Sequence, residues 1–154
     1  MLRPIQPSQA SFQPGRHGLK IKVGELIRRA PVAVTAVDTI ARGMQAMADE
    51  HVGSVIVLTP DKRHPIGIVT LQDILCRVAL PRVDIGQAIS VVMTPDPVTV
   101  AKDTTALQAS LLMAQRNLRH LLVTDEQACL VGVISKNDLY DLLCLTCSAV
   151  TKAK

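Results

Sequence analysis

The sequence predicts an α/β protein (α+β in its arrangement) built from two copies of one helix–strand–helix–strand–strand–helix unit. A first observation is a repeated stretch at residues 67–73 and 132–138: a glycine, two β-branched residues, a hydroxyl residue and, three positions later, an aspartate. A second is a predicted strand ahead of each copy, at 54–58 and 120–124; the continuous apolar run at 54–58 is typical of a strand buried on both faces. The third is the separation of about 65 residues between matching features, which is too long for a solenoid unit and indicates one duplication.

The first repeat begins with helical spacing of Val23, Leu26 and Ile27, and this helix stops before Pro31 because the residue before a proline disfavours the helical conformation. Asp38 or Thr39 is the expected cap of the next helix. In chain order the predicted elements are a helix at 22–29, a strand at 31–35, a helix to about 50, strands at 54–58 and 66–70, and a helix from 71 to about 80.

The second repeat predicts the same order of elements. Residues 93–97 form a rigid, proline-framed turn, and Thr104 is the expected cap of the central helix. Aligning Pro31 with Pro95 gives an offset of 64 at the first strand, against 65 or 66 elsewhere. The predicted elements are a helix at 84–90, a strand at 98–100, a helix from 104 to about 116, strands at 120–124 and 130–135, and a helix from 136 to about 149.

These elements divide the chain into a flexible N-terminal arm at 1–20, one repeat at 21–80 and a second at 84–149. The arm contains three prolines and has neither helical nor strand periodicity. A half of about 60 residues is marginal alone. We therefore expect the two repeats to pack sheet to sheet about a pseudo-two-fold axis.

Composition narrows the classes of function. Apolar residues make up 48% of the chain, yet there is one Phe, one Tyr and no Trp, so the core is aliphatic. Nucleic-acid binding by base stacking lacks its aromatic platforms, and a net charge of +4 does not indicate it either. The N-terminus lacks a signal-peptide core and no run of about 18 apolar residues exists, which predicts a soluble cytoplasmic protein with reduced thiols, without nucleic-acid or membrane partners.

Three motifs in order carry a resemblance to a known family. They are Met93-Thr94-Pro95 followed by a strand at 97–100, the stretch 117–123, and the junction 132–138. Over residues 20 to 145 the chain resembles a tandem pair of cystathionine-β-synthase-type (CBS) domains, called a Bateman module. The resemblance implies a non-catalytic, regulatory homodimer that binds AMP, ADP, ATP, S-adenosylmethionine or NAD in clefts between the repeats and signals to an effector protein that the sequence does not identify.

The resemblance also assigns roles to particular residues. It implies that the junction aspartate takes the ribose hydroxyls and that the hydroxyl residue before it faces ribose or phosphate. It places the adenine beside the first strand of each repeat. The implied residues are Asp138 with Ser135, Asp73 with Thr70, Ala33 with Val34, and Pro97 with Val98.

The residue chemistry agrees with these roles and favours the second junction. A carboxylate offers two acceptor oxygens to a cis-diol, and a helix N-terminus attracts phosphate. Arg119, His120 and Lys136 are positioned by the sequence to neutralise a phosphate chain near Ser135 and Asp138. The first repeat has none of these basic residues at the matching positions, which are Gly53, Ser54 and Leu71.

Other interpretations remain open. Helix capping alone explains either junction, and the basic residues can be a solvated face. The whole chain can be a ligand-free oligomerisation module, with Leu26, Ile27, Leu75, Leu142 and Leu143 as candidate dimer contacts. Cys144 and Cys147 have the spacing of a redox or zinc pair, but a second pair is missing, so we expect no metal. Nucleophile and phosphate-loop motifs are absent from the sequence, so we expect no enzyme.

Overall fold

The computed structural model describes residues 20–142, so the N-terminal arm and the Cys144–Cys147 pair lie outside the described residues. The first repeat contains a 3₁₀ turn and six further segments, of which the last two form one helix, α2, that changes from α- to π-helical form. They are the turn Val23–Leu26, β1 Ala33–Thr35, α1 Ile40–Asp49, β2 Ser54–Leu58, β3 Pro65–Thr70, and α2 with Leu71–Asp73 followed by Ile74–Ala79.

The second repeat has the same order with one added strand. Its elements are the 3₁₀ turn Ile89–Val91, β4 Thr94–Pro95, β5 Thr99–Ala101, α3 Ala106–Gln115, β6 His120–Thr124, β7 Leu130–Ser135 and helical residues at 136–142. The predicted fold class and duplication are confirmed. The two helices predicted at 22–29 and 84–90 shrink to single 3₁₀ turns, and the turn predicted at 93–97 contains β4.

Two sheets result, one built on each repeat, and the sheet of the first repeat also contains β4 from the second. In both, the short first strand pairs in parallel with the second, and the second pairs antiparallel with the third, giving the orders β1-β2-β3-β4 and β5-β6-β7. The strands predicted at 54–58 and 120–124 become β2 and β6, whose last four residues are all buried. Ile56, Leu58 and Leu122 form the buried contact between the two sheets. Sheet-to-sheet packing therefore joins the repeats, as predicted.

The offset between the repeats differs from the one predicted at the first strand. Ala33 of β1 is in register with Ile56, and Thr99 of β5 is in register with Leu122, so the offset there is 66. The alignment of Pro31 with Pro95 was wrong, and Pro97 is the equivalent proline. The offset drops to 65 only after the hairpins, at β3 and β7, because the first hairpin has one more residue.

Each 3₁₀ turn packs into the core of the other repeat. Val23, fully buried, lies in the core built by β5, α3, β6 and β7, and its N–H donates to the Thr104 carbonyl at 2.8 Å. Ile89, also fully buried, lies in the core of the first repeat, and its N–H donates to the Asp38 carbonyl at 2.7 Å. The two repeats are therefore interlocked.

Helix boundaries follow side-chain caps. Thr39 caps α1, accepting a bond from the Arg42 N–H, as one of the two predicted alternatives. Thr105 rather than Thr104 caps α3, in a reciprocal box with Gln108. Across residues 20–142, no helix combines the length and apolar character that crossing a membrane would require.

Candidate functional site

A cleft of about 520 Å³ lies between the segment before β1 and the β7–helix junction. This volume is in the range of pockets that hold small organic ligands. Both repeats contribute side chains to it. We call the segment between the first 3₁₀ turn and β1, together with the turn itself, the lead-in segment of the first repeat. The lining residues from the first repeat are Leu26, Arg28 to Val32 and His51 to Ser54; those from the second are His120, Val133, Ser135, Asn137 and Asp138.

Ser135 and Asp138 form a reciprocal capping box in the wall of this cleft. The Asp138 Oδ2 atom accepts from the Ser135 N–H at 2.6 Å and from the Ser135 hydroxyl at 2.8 Å. The Asp138 N–H returns a bond to the Ser135 Oγ atom at 3.3 Å. One carboxylate oxygen is thus committed to the cap, and within residues 20–142 the other, Oδ1, has no hydrogen-bond or ion-pair partner.

Amides at this helix start are largely used. The Lys136 N–H donates to the Arg119 carbonyl at 3.0 Å, and the Asp138 N–H is bonded to Ser135. The expectation that the helix N-terminus binds phosphate through its N–H groups therefore finds few donors here. A phosphate in the cleft needs donors from side chains.

Thr70 and Asp73 build the same box in the first repeat, with distances of 2.8, 2.7 and 3.2 Å. The difference is at the second carboxylate oxygen: the Arg77 Nε atom lies 3.4 Å from Asp73 Oδ1. The position equivalent to Arg77 in the second repeat is Leu142, so within residues 20–142 Asp138 has no i,i+4 partner of this kind. Neither Thr70 nor Asp73 lines the cleft.

His120 is half-buried at the start of β6, in register with Ser135. Burial is the largest influence on its pKa and lowers it below the ordinary value for histidine. The Asp138 carboxylate acts in the opposite direction, and the Arg119 guanidinium acts in the same direction as burial. The imidazole is therefore neutral near pH 7 and contributes a hydrogen-bonding group rather than a cation.

The other residues predicted to form the site do not line this cleft. Arg119 is exposed and Lys136 half-buried, and neither is among the described residues that line the cleft. Pro31 and Val32 line it in place of Ala33 and Val34, as follows from the corrected offset; Val34 is instead buried in the first core. Val98 packs against the second core, while Pro97 lines a separate cavity of about 300 Å³ between the hairpins.

Sequence reasoning missed Arg28 and Arg29 as lining residues. They were a basic pair on a predicted helix, and such pairs are usually solvated. The signal that could have identified them was their position: once Pro31 is aligned with Pro97, they occupy the loop that leads into the first strand.

The equivalent segment of the second repeat is arranged differently. Thr94 and Pro95, which correspond to Arg28 and Arg29, form β4 and pair with Ile68 and Gly67 of β3. The Asp96 N–H continues this pairing to the Ile66 carbonyl at 3.2 Å. The backbone of this segment is used in strand pairing, and the segment carries one acidic residue, Asp96, where the first repeat carries two arginines.

Metal and thiol chemistry have no centre in the part of the chain that the structure describes. No group of three or more His, Cys, Asp or Glu side chains within residues 20–142 could hold a metal ion. The thiols of Cys76 and Cys129 are free.

Comparison with known proteins gives one family. The family model described as "CBS domain" matches residues 23–79 and 87–144. The uncharacterized protein YlbB of Bacillus subtilis is 30% identical over 118 residues, which are 77% of this chain and 79% of that protein. A Methanopyrus kandleri protein is 27% identical over 120 residues, which are 77% of this chain and 61% of its own length.

Among solved structures, a CBS domain protein from Pyrobaculum aerophilum complexed with AMP is similar, with a TM-score of 0.75 and 28% identity. The match covers 83% of this chain and 99% of that one.

Proposed function

The chain belongs to the CBS domain family, with one CBS domain in each repeat, and from this we propose that it is a regulatory module that binds an adenosine-containing ligand (AMP, ADP, ATP or S-adenosylmethionine) in the cleft beside Asp138. CBS domains are generally regulatory. The single observation that carries the proposal is the Asp138 carboxylate, held by Ser135 at the cleft wall with Oδ1 left over. A ribose cis-diol presents two donors to such an acceptor.

The related structure supports the ligand class. The Pyrobaculum protein was solved with AMP, and its match covers most of both chains. The cleft of this chain has room for a nucleotide and offers apolar contact from Pro31, Val32 and Val133 for a base. We assign the base to this apolar wall and the ribose to Asp138 and Ser135.

The proposed mechanism is a shift of conformational population. Both repeats line the cleft, so a ligand that contacts both favours the arrangement in which they are held together. An effector protein that prefers this arrangement then senses the ligand through linkage. Catalysis has no part in the proposal.

We include a homodimer in the proposal, with a revised surface. Of the predicted contacts, Leu26, Ile27 and Leu142 pack against the second core, Leu75 is exposed, and Leu143 lies outside the described residues. Exposed leucines on the helices support a helical interface instead: Leu71, Leu75 and Leu80 on or beside α2, and Leu107 and Leu111 on α3.

The test is thermal or urea unfolding of the full chain with AMP, ADP, ATP, S-adenosylmethionine and NAD. A ligand at a hundredfold excess over its Kd adds about 2.7 kcal/mol to the free energy of unfolding. We expect stabilisation by at least one adenosine ligand and none by guanosine monophosphate. If none of the five stabilises the protein, the ligand-free oligomerisation module becomes the better account.

A further inference from the structure

Two arginines give the cleft a basic side that the adenosine-binding function alone does not require. Arg28 and Arg29 are exposed and line the cleft. The ion pairs formed within residues 20–142 are all elsewhere: Lys22–Asp103, Arg42–Asp38, Arg77–Asp73 and Lys102–Glu126. Arg29 Nη1 makes one long bond, 3.4 Å, to the Glu50 carbonyl. Most of the donors of both guanidinium groups are therefore available to a ligand.

The segment that carries these arginines is anchored at both ends. On one side, Leu26 and Ile27 pack against the second core, with Ile27 in contact with Gly132. On the other, the Val32 carbonyl accepts from the Ile56 N–H at 2.9 Å. Only residues 28–31 lie between these anchors, so both guanidinium groups stay within reach of the cleft.

The charge of the lining favours an anion. Arg28 and Arg29 face one carboxylate, Asp138, which is the only acidic residue among the described residues of the lining. One oxygen of that carboxylate, Oδ2, already accepts two hydrogen bonds from Ser135. Of the amides at the helix start, which are the alternative donors for a phosphate, those of Lys136 and Asp138 already have partners.

We propose that the cleft selects phosphate-bearing adenosine ligands over neutral and sulfonium nucleosides, with Arg28 and Arg29 as the residues that bind the phosphate. This rests on the proposed function and narrows it to AMP, ADP or ATP. A guanidinium binds phosphate oxygens through two parallel N–H donors, whereas it repels a sulfonium and gains nothing from a thioether. The second repeat, with Thr94, Pro95 and Asp96 at the equivalent positions, offers no such pair.

Calorimetric titration of the full chain tests this with AMP, adenosine, 5′-methylthioadenosine and S-adenosylmethionine. The wild type binds AMP most tightly. In the Arg28→Gln/Arg29→Gln double variant, AMP binding weakens about 10- to 100-fold, as expected for loss of charge-assisted hydrogen bonds. Binding of adenosine and 5′-methylthioadenosine is unchanged, which also shows that the variant is folded.

An Arg42→Gln/Arg63→Gln double variant is the matched control, because it removes two exposed positive charges that do not line the cleft. It keeps the wild-type affinity for AMP. Tighter binding of S-adenosylmethionine or 5′-methylthioadenosine than of AMP by the wild type overturns the inference while leaving the adenosine site intact. An equal loss of AMP and adenosine affinity in the Arg28/Arg29 variant also overturns it. Absence of binding by all four ligands overturns the proposed function as well.

Discussion

At the scale of single residues, two equivalent capping boxes differ in whether a second carboxylate oxygen is left without a partner within residues 20–142. Asp73 and Asp138 each give Oδ2 to their own cap, but Arg77 occupies Asp73 Oδ1 whereas Leu142 stands at the equivalent place in the second repeat. The sequence also predicts a preference for Asp138, but on different grounds. That prediction rested on Arg119, His120 and Lys136, and of these three only His120 lines the cleft. The i,i+4 spacing of Asp73 and Arg77 is a second sequence signal for the same preference.

His120 belongs to the same scale and gives a pH dependence. Because burial lowers its pKa in the folded state, the unfolded chain binds more protons once the pH falls through about 6.5, the ordinary histidine value. The free energy of unfolding therefore decreases as the pH falls from 7.5 to 5.5. A His120→Asn variant, which cannot be protonated, loses less stability over this interval.

Urea unfolding at several pH values measures this difference, and His64→Asn is the control because the half-buried His64 lies in the first hairpin, outside the cleft lining. Equal losses in the wild type and the His120→Asn variant would contradict the assignment of a half-buried, neutral imidazole. The lowered pKa values of Asp38, Asp61 and Asp103 do not interfere, since their stabilisation is lost only as the pH falls below about 3.8.

At the scale of elements, the strands were predictable and the lead-in segments were not. The strands β2 and β6 were predictable because a strand that is buried on both faces needs apolar residues at successive positions. The helix expected at 22–29 rested on apolar spacing at Val23, Leu26 and Ile27. That spacing is real, but it serves contacts with the other repeat, and such tertiary contacts hold a single 3₁₀ turn without a longer helix. β4 has only two residues, one of them proline, so the local sequence contains no strand pattern that would predict it.

The contact between β7 and the lead-in segment depends on a glycine. A Cβ atom at Gly132 would lie 2.5–2.8 Å from three side-chain carbons of Ile27, so the whole side chain would have to shift. Gly132→Ala should therefore lower the free energy of unfolding by about 1–3 kcal/mol, the usual cost of overpacking. Urea unfolding measures it.

Gly53→Ala is the control, because a Cβ atom there meets nothing within 4 Å. Its stability should stay within about 0.5 kcal/mol of the wild type. Combining Gly132→Ala with Ile27→Ala should cost less than the sum of the two single changes, since the second removes the clashing atoms. Strict additivity would mean that the Ile27 contact is not the cause.

At the scale of the whole molecule, the interlocked lead-in turns make the two repeats one structure. Val23 completes the second core and Ile89 completes the first, while Ile56, Leu58 and Leu122 join the sheets. The duplication itself was readable from the sequence. The exchange of turns was not, because adjacency along the chain is the default expectation and only packing reveals which core receives a buried residue.

This architecture is also what places the cleft. The segment at 28–31 runs from a turn packed in the second core to a strand of the first sheet. It lines the same cleft as Ser135 and Asp138. In the other half, β4 pairs with β3. We propose on this basis an asymmetric module in which the ligand occupies the Asp138 cleft.

Calorimetric titration with AMP of the wild type, Asp138→Ala and Asp73→Ala tests this claim most directly. Both variants lose the aspartate side of a capping box, and Asp73→Ala also loses its ion pair with Arg77, so the structural cost in the control is at least as large. The predicted result is an AMP dissociation constant about 10- to 100-fold higher for Asp138→Ala, and one unchanged for Asp73→Ala. An unchanged affinity in Asp138→Ala, or an equal loss in both variants, would contradict it.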